Sequence, residues 1–320
     1  MAALGKVVVL GAGAVGSLFG ARLASAGESV LLIGRPEHVA AVRARGVTVE
    51  GVQPGTFEVE AFSALARGTE ADAVLVTVKS FDLEEALAGL ARSVGPVPTA
   101  LLGNGLGLEG IAERSLSEHG WPKPARWLVR VVHTVPATLL GPGTVRASGE
   151  GELVFAEAAR SDPAREAAEV LVELFRHARF TVRESPAFEL ELWRKVAVNA
   201  AINPVTAVRG VTNGALESGE ARAEAERLLL EAVRVAEASR VGLTVEVARG
   251  DFDRVVRATA ENRSSMLQDL DRGRPTEIDA ISGEIYRRGQ RLGLELPATA
   301  AMIARVHRAA AERSRSPQRS

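Results

Sequence analysis

A glycine-rich turn near the N-terminus constrains this sequence more than any other feature. Gly11, Gly13 and Gly16 form the pattern G-x-G-x-x-G directly after the β-branched run Val7–Leu10, and a helix-forming segment follows. In such a unit the first glycine permits a tight turn, the second lets the backbone approach a pyrophosphate, and the third lets the helix pack on the strand. A second strand at Ser29–Ile33 completes the unit. The order predicts a Rossmann-type dinucleotide-binding domain, and a turn without a ligand is the alternative.

The phosphates of a bound dinucleotide would lie at the N-terminus of the helix that follows this turn. A helix N-terminus carries free backbone N–H groups and the positive end of the helix dipole, and both attract anions. We therefore expect cofactor contacts from the whole turn, which comprises Gly11, Ala12, Gly13, Ala14, Val15 and Gly16.

The end of the second strand indicates which dinucleotide is bound. NAD sites usually place Asp or Glu at this point, where the carboxylate accepts a hydrogen bond from the ribose 2′-OH. Here the strand ends in Gly34 and Arg35, with no acid before Glu37. An arginine can form paired hydrogen bonds with a 2′-phosphate. The sequence therefore favours NADP(H), with an ordinary surface arginine as the alternative.

Two further strand ends carry polar residues that could face a ligand. The apolar run Ala73–Val78 ends in Lys79, and the run Thr99–Leu102 is followed by Gly103 and Asn104. Ligands of open α/β sheets bind beyond the carboxyl ends of the strands. We therefore expect Lys79 and Asn104 to contact the cofactor, although a lysine that ends its strand in solvent fits the position of Lys79 equally well.

The pattern of the chain changes near residue 185. Before it, strands alternate with helices, and Trp127–Val135 and Thr144–Phe155 predict antiparallel strands that close the domain. After it, only long helical patterns occur. The predicted fold class is α/β, with a Rossmann-type NADP(H)-binding domain at 1–185 followed by an all-α substrate and catalytic domain at 186–312. The polar tail 313–320 is predicted to be disordered.

The segment Glu189–Thr206 carries the second informative pattern. If it is helical, Lys195, Asn199 and Asn203 recur every four residues and share one face. A solvated face would be richer in Glu, Lys and Arg, so this face suits a ligand. Pro204 should kink or end the helix just past Asn203. A partly buried structural helix is the alternative interpretation.

A polar stretch, Glu261–Glu284, restarts as a helix near its middle. Thr276 is the expected N-cap, and Glu277 then lies in the first turn, where a carboxylate is favourable. The functional alternative is that Ser265 and Glu277 reach the same pocket as Lys195.

Composition removes several classes of function. The 320 residues include no cysteine, which excludes disulfides, thiolate metal sites and cysteine nucleophiles. None of the five histidines has metal-ligand spacing to another, so we expect no metal. A net charge of −1 provides no basic field for nucleic acid, and no apolar run is long enough to span a membrane. We expect a cytoplasmic protein, whose helical domain could form a homodimer through its apolar faces.

Together these motifs resemble the ketopantoate reductases, also called 2-dehydropantoate 2-reductases. The later motifs are far more specific than the glycine turn, and all occur in the family's order. The residues that carry the resemblance are Leu10–Ser17, Lys79, Asn104, Gly105, Lys195, Asn199, Ile202–Pro204 and Ser264–Asp279. One departure is Gly103, where the family commonly has Gln before Asn-Gly.

The resemblance implies reduction of a 2-oxo acid, 2-dehydropantoate, to (R)-pantoate by NADPH, on the route to pantothenate and coenzyme A. It also implies that Lys195 is the general acid and Glu277 the supporting carboxylate. The implied substrate contacts are Asn104, Asn199, Asn203 and Ser265, and the implied cofactor contacts outside the turn are Arg35 and Lys79. The alternatives are a related NADPH-dependent reductase of another 2-oxo acid, a non-catalytic NADP(H)-binding regulator, and an interaction module with an empty glycine turn.

Overall fold

The computed structural model describes residues 5–157, 159 and 161–315 of the chain. Thirteen strands occur within these residues, and numbered β1–β13 in chain order they are Lys6–Leu10, Ser29–Ile33, Val47–Gly51, Gly55–Phe57, Glu60–Phe62, Ala73–Val76, Thr99–Leu101, Leu128–Arg130, Val132–His133, Ala137–Gly141, Thr144–Ala147, Leu153–Ala156 and Val182–Ser185. The α-helices of the same residues, numbered α1–α11, are Ala14–Ser25, Pro36–Arg45, Leu83–Ser93, Leu108–Glu118, Arg165–His177, Phe188–Arg209, Gly219–Ala238, Val245–Ala258, Ser265–Asp271, Ile278–Arg291 and Pro297–Arg315.

The chain divides into two compact units. The first, here called the α/β unit, contains the described residues up to Gly103 and those from Leu108 to Phe188. The second, here called the helical unit, contains Asn104–Gly107 together with the described residues from Glu189 onward. A short segment that follows β7 in the chain therefore belongs to the helical unit.

A six-stranded parallel sheet organises the α/β unit, with strand order β5-β2-β1-β6-β7-β8. Strand β1 is one of the two central strands of this sheet. Successive side chains of a strand point to opposite faces, so the apolar run of β1 is buried on both faces. Val7 and Val9 enter a core that includes side chains of α1 and α5, whereas Val8 and Leu10 enter a core that includes side chains of α3 and α4. Helices therefore cover both faces, as buried parallel sheets require.

The prediction of antiparallel strands at Trp127–Val135 and Thr144–Phe155 is confirmed for the pairing of β9 with β12, but it was wrong in making each segment one continuous strand. This region forms five short strands instead: β8 extends the main sheet in parallel, β9 pairs antiparallel with β12, and β11 lies between β10 and β3. Gly151 has a φ of +62°, a conformation that a regular strand does not contain. Pro136, which cannot donate a ladder hydrogen bond, precedes β10. These two residues interrupt the strands.

Residues 189–209 of α6 belong to the helical unit, and most of this helix is buried. Trp193 of this helix is fully buried, and its Nε1 donates to Glu189 Oε1 at 3.0 Å. In the same unit, α10 packs on α11 and α7, and α8 packs on α7. Pro204 does not end the helix. Helix α6 continues through it to Arg209 along a buried stretch. The one backbone hydrogen bond that proline removes is outweighed there by burial of the surrounding apolar side chains.

The predicted fold class is confirmed by the parallel sheet and the helical region that follows it. The last helix reaches further than expected, because Arg313–Arg315 continue α11, and the predicted tail from residue 316 onward lies outside the described residues. Within the part of the chain that the structure covers, no helix has the length and apolar character to cross a membrane.

Candidate active site

The three motif glycines of the turn occupy different environments. Gly11 has a φ of +118°, and a Cβ atom there would lie 2.6 Å from the backbone nitrogen of Val78. A Cβ atom on Gly16 would overlap the carbonyl oxygen of Gly11. By contrast, Gly13 is exposed, and a Cβ atom there would meet no atom within 4 Å. Packing therefore explains Gly11 and Gly16, whereas the space at Gly13 is available to a ligand.

Hydrogen bonds to β2 and to Thr77 hold the turn in place. The backbone nitrogens of Gly11 and Ala12 both donate to the carbonyl of Ile33, at 3.0 and 2.8 Å. Thr77 Oγ1 donates to the carbonyl of Gly11 at 2.8 Å. Gly13 is the N-cap of α1, and among the described residues no side chain caps this helix end. A rigid turn with an open helix N-terminus fits the pyrophosphate of a dinucleotide.

Arg35 and Lys79 lie on opposite sides of the turn. They follow β2 and β6, the two strands that flank β1 in the sheet. Arg35 is exposed at the N-cap of α2, and Lys79 is half-buried at the start of a short 3₁₀ turn. Burial raises the pKa of Asp82, with the nearby charge of Arg35 opposing the shift and that of Glu85 adding to it. Arg35 therefore lies close enough to Asp82 for their charges to interact.

In the helical unit, Asn104 contacts the buried carboxylate of Glu277. Asn104 Nδ2 donates to Glu277 Oε2 at 3.2 Å, and Glu277 is only 4% exposed. The backbone nitrogen of Leu106 donates to the carbonyl of Ala280 at 3.1 Å. A Cβ atom on Gly105 would overlap that same carbonyl of Ala280. The segment Asn104–Gly107 therefore lies tightly against the first turn of α10.

Glu277, not Thr276, is the N-cap of α10. Its carbonyl accepts the first helical hydrogen bond, from the nitrogen of Ile281 at 3.1 Å. Its side chain makes no capping hydrogen bond, and it accepts from Asn104 instead. A capping side chain would satisfy the free N–H groups of its own helix. The orientation of Glu277 towards another segment indicates a role beyond capping.

The predicted polar face of α6 is present. Lys195 and Asn199 are half-buried and Asn203 is 8% exposed, while the neighbouring apolar residues of the helix are buried. Arg194 fixes the rotation of the helix with two hydrogen bonds to Asp251, at 2.6 and 2.9 Å. Burial alone would raise the pKa of Asp251, but the hydrogen bonds and charge of Arg194, with the charge of Arg254, outweigh it and lower the pKa.

Two serines at the start of α9 have different environments, and only Ser265 was predicted to contact the substrate. Ser264 is buried as the N-cap, accepts from Leu267 N at 3.2 Å, and accepts from Thr206 Oγ1 at 2.8 Å. Thr206 Oγ1 also contacts the carbonyl of Asn203 at 3.1 Å. Ser265 is exposed at the first position of the helix. The S-S pair before an apolar run was a signal for this cap.

Asn213 is a buried polar residue that was not predicted from the sequence. It is 7% exposed, its Nδ2 donates to Thr259 Oγ1 at 2.8 Å, and its backbone nitrogen donates to the carbonyl of Asn262 at 3.0 Å. No partner within the described residues reaches its Oδ1. The available signal was a second Asn-Gly pair, which alone indicates only a turn.

The two units thus hold different sets of the predicted residues. The α/β unit contains the glycine turn, Arg35 and Lys79. The helical unit contains all of the predicted substrate and catalytic residues, which are Asn104, Lys195, Asn199, Asn203, Ser265 and Glu277.

Known proteins match the chain over nearly its whole length. The 2-dehydropantoate 2-reductase of Archaeoglobus fulgidus is 34% identical over 290 residues, which cover 91% of this chain and 92% of that protein. The 2-dehydropantoate 2-reductase of Halobacterium salinarum is 36% identical over 301 residues, which cover 91% and 94%.

Solved structures show the same fold. The crystal structure of a PanE/ApbA family ketopantoate reductase from Ralstonia eutropha has a TM-score of 0.82 and 32% identity, covering 96% of this chain and 99% of that one. D-mandelate dehydrogenase with NADH and anilino(oxo)acetate has a TM-score of 0.87 and 25% identity, with the same coverage.

Two family models divide the chain between them. The model described as ketopantoate reductase PanE/ApbA matches residues 7–160, and the model described as its C-terminal part matches residues 187–310. The chain therefore belongs to the PanE/ApbA ketopantoate reductase family.

Proposed function

We propose that this protein is an oxidoreductase that reduces 2-dehydropantoate to (R)-pantoate with NADPH, a step towards pantothenate and coenzyme A. The observation that carries the proposal is the buried carboxylate of Glu277, which accepts a hydrogen bond from the amide of Asn104. Both residues lie in the unit that also contains Lys195. The relatives named 2-dehydropantoate 2-reductase support the choice of substrate.

The residues of the helical unit suit the reduction of a ketone. A bound nicotinamide supplies the hydride that adds to the ketone carbon. Lys195 stabilises the negative charge that grows on the carbonyl oxygen, and it then donates a proton to that oxygen. Its three N–H donors on a flexible stem allow it to follow the oxygen as its geometry changes.

Glu277 and the amide residues orient the substrate. The carboxylate of Glu277 supports the positive charge of Lys195, and it fixes the Asn104 amide through their hydrogen bond. Asn199 and Asn203 follow Lys195 at intervals of four on α6, where they can bind a hydroxyl or carboxylate without adding charge. Ser265 adds a further exposed hydroxyl at the start of α9.

The cofactor is a nicotinamide dinucleotide, and we assign it as NADP(H). Arg35 stands exposed at the point where an NAD site usually has an acidic residue. Lys79 and the backbone of the glycine turn complete the phosphate contacts. NAD(H) is the second candidate, because Asp82 interacts with Arg35 and the similar D-mandelate dehydrogenase was solved with NADH.

The test is a steady-state assay of NADPH oxidation. The protein is given 2-dehydropantoate, pyruvate and branched 2-oxo acids in parallel, each with NADPH and with NADH. The proposal expects the highest kcat/KM for 2-dehydropantoate with NADPH. A higher value for another 2-oxo acid would assign a related reductase, and binding of NADPH without turnover of any acid would assign a regulator.

A further inference from the structure

His38 is a buried histidine that uses both of its ring nitrogens. It lies in the first turn of α2 and is 6% exposed. The backbone N–H of Gly143 donates to Nδ1 at 3.2 Å, and Nε2 lies 3.0 Å from Ser17 Oγ. Because Gly143 N–H can only donate, Nδ1 must carry a lone pair. The proton of the neutral ring is therefore on Nε2, which donates to Ser17.

Burial supports the neutral form of this ring. Desolvation lowers the pKa of His38, and the charge of Glu37 opposes the shift without reversing it. A protonated ring would turn Nδ1 into a second donor that faces the donor of Gly143. The observed geometry thus suits one tautomer of the uncharged side chain.

The two hydrogen bonds connect three elements of the α/β unit. Ser17 is fully buried in the first turns of α1, where its nitrogen donates to the carbonyl of Gly13 at 3.0 Å. Gly143 lies in the β10–β11 connection, and its carbonyl accepts from the nitrogen of Thr48 in β3 at 2.8 Å. His38 therefore joins the start of α2 both to the phosphate-binding helix and to the neighbouring sheet.

The same turn of α2 carries Arg35. Arg35 is the N-cap residue, and its carbonyl accepts from the nitrogen of Val39 at 3.0 Å. Pro36, at the first helical position, restricts the backbone between Arg35 and His38. A shift of His38 would therefore move the backbone of Arg35 relative to the glycine turn.

We propose that His38 is a positioning residue for cofactor selection, because it sets the distance between Arg35 and the glycine turn. The inference rests on the proposed NADP(H) site. The 2′-phosphate and the pyrophosphate belong to one molecule, so NADPH requires both contacts at a matched separation. NADH has no 2′-phosphate and requires only the glycine turn. A purely structural histidine would affect both cofactors alike.

The test compares variants that keep or lose the bond to Ser17. His38→Asn offers a polar group near the position of Nδ1 and loses the Nε2 bond, whereas His38→Gln can reach Ser17. Ser17→Ala removes the same bond and leaves the ring unchanged. Dissociation constants for NADPH and NADH are measured by calorimetry, with thermal melting to establish that each variant is folded.

We expect His38→Asn and Ser17→Ala to weaken NADPH binding by about fivefold to tenfold, the scale of one lost hydrogen bond. NADH binding should change by less than about twofold, and His38→Gln should retain most of the preference. In an Arg35→Ala background, Ser17→Ala should no longer change the NADPH to NADH ratio. An equal loss for both cofactors, or no loss from Ser17→Ala, would overturn the role of His38.

The Arg35→Ala variant separates this inference from the function on which it rests. If Arg35→Ala lowers the NADPH preference and Ser17→Ala does not, the cofactor assignment stands and the role of His38 is wrong. If Arg35→Ala leaves the preference unchanged, the NADP(H) assignment itself fails, and the role of His38 fails with it.

Discussion

The α/β unit and the helical unit build their sites by different means. In the α/β unit the backbone of one short turn forms the proposed cofactor site, and hydrogen bonds to Ile33 and Thr77 hold that turn rigid. In the helical unit side chains from distant segments form the proposed catalytic site, as in the bond between Asn104 and Glu277, which are 173 residues apart. A site formed by backbone atoms leaves little room for added side chains, whereas a site formed by side chains depends on the charge and position of each of them. Substitutions in the α/β unit should therefore affect folding and cofactor binding, whereas substitutions in the helical unit should affect turnover.

The largest effect is expected at Lys195. Lys195→Ala should lower kcat by about 10²- to 10⁴-fold, because general acid catalysis contributes on that scale. Binding of NADPH should change little, since this residue belongs to the helical unit. Steady-state kinetics with a separate measurement of NADPH affinity checks both parts. Lys123→Ala, a change of an exposed lysine, serves as the matched control. Near-normal turnover of Lys195→Ala would remove the residue from the chemistry.

A pair of glycine substitutions separates folding from binding in the turn. Gly13→Ala adds a Cβ atom in open space, so the melting temperature should hold while both cofactors bind more weakly, on the order of tenfold. Gly16→Ala forces an overlap with the backbone at Gly11 and should reduce the free energy of unfolding by about 1–3 kcal/mol. Thermal melting and cofactor titration of both variants test this. The interpretation of the turn is wrong if Gly13→Ala binds NADPH normally.

Arg35 should affect selection between cofactors and not turnover. Arg35→Ala should lower the ratio of kcat/KM for NADPH over NADH by about tenfold, since one charged hydrogen-bonding group to the phosphate is lost. Asp82→Asn should act in the opposite direction, because it removes a negative charge that interacts with Arg35. Kinetics with both cofactors measure the two ratios. If the two substitutions change the ratio in the same direction, the proposed phosphate contact is not supported.

The smallest expected effect is a difference between the two units in the pH at which each loses stability. Burial lowers the pKa of His38 in the folded α/β unit, despite the opposing charge of Glu37. The unfolded chain then binds the proton first, so this contribution to stability is lost as the pH falls below the ordinary value of 6.5. In the helical unit, burial would raise the pKa of Glu224, but Arg209 and Arg305 lower it. That contribution is lost only below the ordinary value of 4.5.

Melting temperatures recorded across this pH range distinguish the two contributions. His38→Gln should flatten the dependence between about pH 7 and pH 5, because the titrating ring is absent. The dependence at lower pH should remain, since the carboxylates of the helical unit are unchanged. An unaltered profile for His38→Gln between these values would contradict the neutral form of His38 in the folded protein.

Local sequence patterns predicted much of the fold. The strand Ser29–Ile33 was predicted at its observed bounds, because turn residues border it. The region from residue 127 to residue 155 was not, since its strands join three sheets, and partners in a sheet are not visible in a local pattern. The seven-residue helix α9 was also missed, because it is too short for a clear periodicity.

The parts of the site that come from one contiguous motif were predictable, and the parts that come from residues far apart in the sequence were not. The glycine turn follows from one contiguous motif in which each glycine has its own physical reason. The bond between Asn104 and Glu277 could not be derived from spacing. The local pattern left Glu277 open between a helix-terminal acid and a pocket residue, and the family resemblance favoured the pocket residue. The proposed role of His38 was not detectable from the sequence, because a lone histidine reveals neither its tautomer nor its partners.

The central claim is that Lys195 and Glu277 act together on one substrate, and a double-mutant cycle tests it most directly. The measurement is kcat for NADPH-dependent reduction of 2-dehydropantoate by the wild type, Lys195→Ala, Glu277→Gln and the double variant. Residues that act as a unit are strongly non-additive. The account predicts that the double variant is about as slow as Lys195→Ala alone. Independent, multiplicative losses from the two substitutions would contradict it.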